Sequence, residues 1–215
     1  MTWPNLKEEK KLWKNNFKLV VGLDEAGRGP LAGPVVAAAV LINSQSNFKS
    51  FPKGIRDSKQ LTAKKREALL QLLICHPDLK WGIGKVSEKK IDRINILEAT
   101  KLAMKKAIDD LSLKLKKENS KIDFLLLDGN FKIEIDIPQR SIIKADQKVF
   151  SCAIASIFAK VSRDKIMEKY AKKFPNYAFE RHKGYPTRYH FKVLREYGPS
   201  VIHRKTFQPV KRFFT

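Results

Sequence analysis

Two apolar runs joined by a short glycine- and proline-rich loop constrain this chain more than any other feature. Residues 17–24, FKLVVGLD, read as a strand, and residues 34–42, PVVAAAVLI, as a second strand buried on both faces. The loop between them, GRGPLAG at 27–33, is too short for a crossover helix. The pair is therefore expected to form an antiparallel hairpin. The stretch PLAGPVVAAAVLI is also too short and too broken by glycine and proline to span a bilayer.

Strand and helix signals alternate after the hairpin. Thr62 is placed to cap a helix running to about Cys75, with Leu69, Leu72 and Leu73 on its apolar face. Residues 80–86 suggest a third strand. A long helix is expected from about Asn95 to Lys117, with its stripe at Met104, Ala107, Ile108, Leu111 and Leu115. Residues 122–127, IDFLLL, read as another strand covered on both faces, and 133–144 as one strand or two. A helix from about Lys148 to Phe174 follows, and Thr187 is placed to cap a last one to about Tyr197. This order predicts an α/β fold with a mixed sheet flanked by helices. Three regions are expected: a basic prefix over 1–16, a main domain over 17–180, and a C-terminal segment over 181–215 packed on that domain.

Of the 215 residues, 44 are Lys or Arg and 22 are Asp or Glu, a formal net charge of +22. Such an excess favours polyanionic partners, because neutralising phosphates releases counterions. Apolar residues make up 43%, enough for a packed core rather than a disordered chain. The segment 181–215 holds nine Lys/Arg, one acid and seven Tyr/Phe, a mixture suited to phosphate contact and stacking or to aromatic packing. Cys75 and Cys152 cannot build a disulfide framework and read as buried thiols of a reducing compartment. The N-terminal residues lack the apolar core of a secretory signal, so a cytoplasmic protein without membrane association, monomeric by default, is expected.

In so basic a chain, acids beside glycines at strand ends stand out. Asp24 and Glu25 close the first strand ahead of Gly27. Asp128 closes the LLL run ahead of Gly129, and Asp146 follows the next strand and opens a helix. Clustered carboxylates repel one another unless a hard cation neutralises them. Two Mg²⁺ or Mn²⁺ ions held in this way suit phosphodiester hydrolysis. Each acid also has a plainer explanation. Asp24 could cap the loop, Glu25 could be solvated, Asp128–Gly129 could be a turn, and Asp146 could be a helix cap. Lys160 and Arg163 share a helix face with Ser156, either facing phosphate or solvated.

The string DEAGRGPLAGPVVAAAV, Asp24 to Val40, resembles the opening signature of the ribonuclease HII family. IRDSKQLT at 55–62, LLLDGN at 125–130, IIKADQK at 142–148, ASIFAKVSRD at 155–164, HKGYPTRYH at 182–190 and HRKTFQPV at 203–210 resemble its later blocks, in order. The resemblance covers about residues 17–210. It implies a ribonuclease H-like mixed sheet with a C-terminal helical extension. It also implies hydrolysis of the RNA strand of RNA·DNA hybrids, and cleavage 5′ to a ribonucleotide embedded in duplex DNA, with Mg²⁺ or Mn²⁺.

Carried over by position, the metal ligands fall on Asp24, Glu25, Asp128 and Asp146, with Asp24 and Asp128 central. The ribonucleotide-contacting motif falls on Gly27, Arg28 and Gly29, where glycine permits close backbone approach and the 2′-hydroxyl marks RNA. The junction-sensing tyrosine falls on Tyr185, and Lys59 becomes a candidate phosphate contact. Arg28 could instead pair with the neighbouring acids, and Tyr185 could be a packing residue. Ala145 stands where the family often has glycine, and Phe158 where it usually has an aliphatic side chain. The related ribonuclease HIII carries an extra N-terminal domain and a glutamate as fourth acid, so Asp146 and the short prefix favour type HII. A general DNA nuclease of the same fold and a noncatalytic RNA-binding protein are the rival readings. A sliding clamp as partner is not derivable from the residues.

Overall fold

The computed structural model describes residues 3–44, 46, 51–52, 54–55, 61–116 and 118–214. Its sheet has five strands: β1 (Val20–Ala26), β2 (Val35–Ile42), β3 (Leu79–Val86), β4 (Phe124–Asp128) and β5 (Gln139–Ile142). Their order across the sheet is β3-β2-β1-β4-β5. The hairpin β1–β2 is antiparallel, as the short loop requires, and so is β2–β3. β4 joins β1, and β5 joins β4, in parallel. The mixed sheet is therefore as the strand pattern predicts.

Among the described residues there are six α-helices: α1 (Lys7–Lys14), α2 (Ala63–Ile74), α3 (Glu88–Lys116), α4 (Phe150–Lys173), α5 (Phe179–His182) and α6 (Arg188–Tyr197). α3 covers one face of the sheet. There Val21, Leu23, Ala37, Ala39, Leu125 and Leu127 meet Ala103, Met104, Ala107 and Leu111. α4 and α2 cover the other, where Ala38, Val40 and Ile42 meet Leu69, Leu73, Ile154, Ile157 and Phe158. Alternate residues of β2 thus enter opposite cores, which is why PVVAAAVLI carries no polar residue. At Gly22 any side chain would run into Ser151 and the backbone of Cys152, so α4 lies directly against β1. Phe158, in an unusual aromatic position, packs on Trp81 with ring centroids 5.0 Å apart.

Several boundaries differ from the sequence reading. α3 begins at Glu88, seven residues before Asn95, where the helix breaks at φ 63°. The Asn95 carboxamide caps the longer segment, accepting from Leu97 N at 2.9 Å and Glu98 N at 3.1 Å. The earlier turns escape notice because EKKIDR is charged. In α2 the buried leucines are Leu69, Leu70 and Leu73. Leu72, expected on the apolar face, is 60% exposed. Cys75 is exposed, because it is the C-cap of α2 rather than a core position, whereas Cys152 is buried. Of residues 133–144 only 139–142 form a strand. The Gln139 side chain supplies Ile133 with the partners a strand would, accepting from its N–H at 2.9 Å and donating to its carbonyl at 2.8 Å.

The N-terminal helix is tied to the main domain. Glu9 is buried and accepts from both the main-chain N–H and the hydroxyl of Ser151, each at 2.9 Å. Ser151 lies in the first turn of α4, whose N-cap Val149 has no capping side chain, so Glu9 serves as a remote cap. Burial raises the Glu9 pKa, against the hydrogen bonds from Ser151 that lower it. Among the described residues, no helix is long and apolar enough to cross a membrane.

Candidate active site

Strand register brings the acids together. Leu23 of β1 pairs with Leu127 of β4, so one step further Asp24 comes beside Asp128. Both share the parity of Gly22 and Leu126, which face α4, so both carboxylates emerge on the α4 side. Asp146 reaches the same point from the 3₁₀ turn Ala145–Gln147 just ahead of α4. The turn is held in place by Asp128, whose Oδ1 accepts from Ala145 N at 2.7 Å. One carboxylate oxygen from each of Asp24, Asp128 and Asp146 lies within 4.8 Å of the others. Asp24 and Asp146 are buried.

Glu25 is not one of the trio but lines the same cleft, and it pairs with Arg28 at 3.3 Å. Its second oxygen, Oε2, is buried and has no hydrogen-bond partner among the described residues. Burial raises the Asp24 pKa well above the usual carboxylate range, and the charges of Glu25, Asp128 and Asp146 add to the effect. Burial pushes Glu25 up to about 7, against the pull of Arg28. The oxygen-only donors, their spacing and the orphaned Glu25 oxygen fit a hard divalent cation.

The acids floor a cleft of about 410 Å³ whose walls include Gly27, Arg28, Gly29, Arg66, Ser156, Lys160 and Tyr185. Gly27 has φ +103°, open to glycine but strained for other residues. A side chain at Gly29 would first meet the Tyr185 ring, 4.0 Å away, so loop and ring face each other. Tyr185 is 37% exposed on the cleft wall, with Lys160 and Arg163 near its ring. The Arg28 guanidinium lies 5.8 Å from the Phe131 ring, and its pairing with Glu25 is the plainer alternative anticipated for it. Lys59 lies outside the described residues. Arg66 had no signal beyond its place after the Thr62 cap. Lys160 pairs with Asp164 at 2.6 Å, and burial lowers its pKa. Arg163, read as facing phosphate or solvent, does neither. It is fully buried, and its guanidinium is bonded to main-chain carbonyls.

Behind Tyr185 lie three histidines whose partners dictate their tautomers. His203 Nδ1 accepts from Ser200 N at 2.9 Å, so its proton sits on Nε2. That proton is donated to His190 Nε2 at 3.0 Å, and His190 Nδ1 in turn donates to the Tyr185 carbonyl at 2.9 Å. His182 Nδ1 accepts from Gly184 N at 3.2 Å and its Nε2 donates to the Tyr177 carbonyl. All three rings are therefore neutral. Burial pushes His190 down to about 4, and burial, with His190 as a titratable neighbour, pushes His203 down to about 3. The histidines of the C-terminal segment thus belong to a packed layer against which the cleft is built, whereas Tyr185, Tyr189, Tyr197, Phe213 and Phe214 are exposed.

A mixed sheet with carboxylates meeting at the ends of parallel neighbours defines the ribonuclease H-like class of nucleases. Comparison with solved structures agrees. Ribonuclease H2 from Pyrococcus horikoshii OT3 superposes with TM-score 0.71 at 29% identity, covering 91% of this chain and 96% of that one. Bst-RNase HIII in complex with Mn²⁺ shares the fold, with TM-score 0.67 at 18% identity, covering 92% and 70%. The family model for ribonuclease HII matches residues 21–210. A ribonuclease HII of Chlamydia caviae is 46% identical over 204 residues, which is 95% of this chain and 91% of that relative. The chain belongs to the ribonuclease HII family. It is a type 2 ribonuclease H, a hydrolase that cleaves the RNA strand of RNA·DNA hybrids.

Proposed function

We propose that this enzyme also cuts 5′ to single ribonucleotides embedded in duplex DNA, and that its chemistry depends on two divalent cations. The observation that carries the proposal is the joining of the acid trio to the GRG loop and Tyr185 in one cleft. Asp24, Asp128 and Asp146, with Glu25 beside them, would hold Mn²⁺ or Mg²⁺. Such a pair of ions supplies activation of water and stabilisation of the departing 3′ oxygen. The manganese complex of the HIII neighbour is of the same fold.

The remaining roles fall to the chain itself. The Gly27–Arg28–Gly29 backbone approaches the sugar closely enough to detect a 2′-hydroxyl, which distinguishes RNA from DNA. The Tyr185 ring stacks against the sugar of the next nucleotide, where a further 2′-hydroxyl would be crowded. Lys160 and Arg66 place positive charge toward the phosphates. Lys59 is assigned a phosphate contact on the family resemblance alone. The strong positive charge holds the duplex at low salt.

A labelled DNA duplex with one ribonucleotide tests this reading beside an all-DNA duplex and an RNA·DNA hybrid. With Mn²⁺ or Mg²⁺, and not with EDTA, cutting is expected 5′ to the ribonucleotide, leaving the all-DNA duplex intact. Cleavage of the hybrid alone would sink the embedded-ribonucleotide activity. Cleavage of both duplexes would reassign the enzyme as a general nuclease.

A further inference from the structure

Two arginines behind the cleft have no role in the chemistry above, yet both are fully buried. Among the described residues, their guanidinium groups bond only to main-chain carbonyls. Arg204 donates from Nη2 to Gly27 O at 2.5 Å, from Nη1 to Arg28 O at 3.0 Å, and from Nε and Nη2 to Gly33 O at 3.0 and 2.9 Å. Arg163 donates to Pro34 O at 3.0 Å, Ala32 O at 3.1 Å and Lys183 O at 3.0 Å. A side chain at Gly27 would collide with the Arg163 guanidinium, so that glycine leaves room for the arginine as well as for substrate. Burying a guanidinium without a counterion is costly unless its donors are met. The fork geometry matches several carbonyls at once, which a lysine cannot do.

These bonds join two parts of the cleft that come from distant stretches of chain. Arg204 holds the loop that begins at Gly27. Arg163 holds the far end of that loop and also Lys183, two residues before Tyr185. Its guanidinium carbon lies 5.7 Å from the Tyr185 ring. Main-chain bonds run alongside, with Leu31 N donating to Gly184 O and Arg204 N to Leu31 O, both at 2.8 Å.

We infer that Arg163 and Arg204 are positioning residues for substrate discrimination: together they fix the gap between the GRG loop and Tyr185, in which a single ribonucleotide is recognised. This rests on the proposed activity toward embedded ribonucleotides. A long hybrid offers many registers for productive binding, whereas a single ribonucleotide offers one. Loosening the gap should therefore harm the single-ribonucleotide substrate more.

The test uses Arg204→Lys and Arg163→Lys in the full chain, with Arg140→Lys, which alters a surface pair with Glu8, as control. Thermal melting reports folding, and its shift with Mn²⁺ alone reports the acid site. kcat and KM are measured on the hybrid and the single-ribonucleotide duplex below each variant's melting temperature. Both variants are expected to lose about thirtyfold in kcat/KM on the single-ribonucleotide duplex and about threefold on the hybrid, since small misplacements are costly in rate. The Mn²⁺ midpoint should stay within about twofold of wild type, and Arg140→Lys should leave both substrates unaffected. Equal losses on the two substrates, or a Mn²⁺ midpoint that moves with activity, would overturn the inference. Should Arg204→Lys fail to fold, Arg163→Lys carries the test, because it leaves the Arg204 bonds in place. If the wild type does not cut the single-ribonucleotide duplex, the proposed activity falls. The inference, which concerns discrimination of that substrate, falls with it, and the two failures stay distinct because equal losses on two cleaved substrates overturn the inference alone.

Discussion

The strand-end acids and the layer behind Tyr185 bury polar groups in opposite ways. At the strand ends, three carboxylates come within 4.8 Å of one another, and burial and mutual repulsion both oppose ionisation of Asp24. In the C-terminal layer every histidine is neutral with its proton placed, and two buried arginines are matched by carbonyls. The first region crowds like charges together and is therefore suited to take up a cation. The second is internally satisfied and therefore suited to hold a shape. A catalytic centre needs both, because reactive charge is useful only beside a rigid reference surface.

The largest test of this contrast is Asp128→Asn. It removes one member of the trio, and its turnover on a hybrid should fall by about 10³-fold or more. The Mn²⁺ shift in melting temperature should vanish with it, whereas hybrid binding in a gel-shift assay should persist. Near-normal turnover would show that the trio is not the reactive site. Next comes Arg204→Ala, which removes the partner of three main-chain carbonyls, those of Gly27 and Gly33 buried, and should cost about 3 kcal/mol in urea unfolding. A cost near zero would mean that the layer is not self-satisfied in the sense argued here.

The two regions also predict opposite responses to pH. Glu25 has a folded pKa of about 7 against an ordinary 4.5, so its contribution to metal-free stability is present below 4.5 and lost as pH rises through about 7. His190 and His203 have folded values of about 4 and 3 against an ordinary 6.5. Their contribution is present above 6.5 and lost as pH falls toward 4. Melting temperature in EDTA should therefore fall on both sides of a maximum. His203→Gln should flatten the acid limb, Glu25→Gln the neutral one, and Mn²⁺ should add most at pH 8. Limbs that stay unchanged in these variants would break the comparison. The smallest effect is expected at the boundary between the regions. Tyr185→Ala should lose about tenfold on the single-ribonucleotide duplex, measured as kcat/KM, because one stacking contact is worth about 1–3 kcal/mol.

What could be read from the residues follows the same division. Asp24, Asp128 and Asp146 were legible because acids that close strands ahead of glycines or open a helix are rare in so basic a chain. The hairpin was legible because its loop is too short for anything else. Glu25 could be found, but not its place outside the trio, which spacing along the chain does not show. Arg163 and Arg204 could not be recognised as buried, because 44 basic residues hide two. Their partners also lie 129 to 177 residues away for six of their seven bonds. Glu9 was hidden in the same way, as one charge in a lysine-rich helix whose partner Ser151 is 142 residues distant. Leu72 and Cys75 were misplaced because a leucine-rich helix end offers several apolar stripes, and packing against α4 selects one.

The arginine clamp grips main-chain oxygen alone, and main-chain oxygen is the same at every residue. The seat of the recognition loop is thus indifferent to most of the side chains the loop displays. Lineages could exchange the exposed Arg28 and explore new contacts to nucleic acid while the loop kept its path. Gly27 is the exception, because there the arginine occupies the space a side chain would take. Evolutionary latitude in this enzyme is therefore set one position at a time, by where the guanidinium groups leave room.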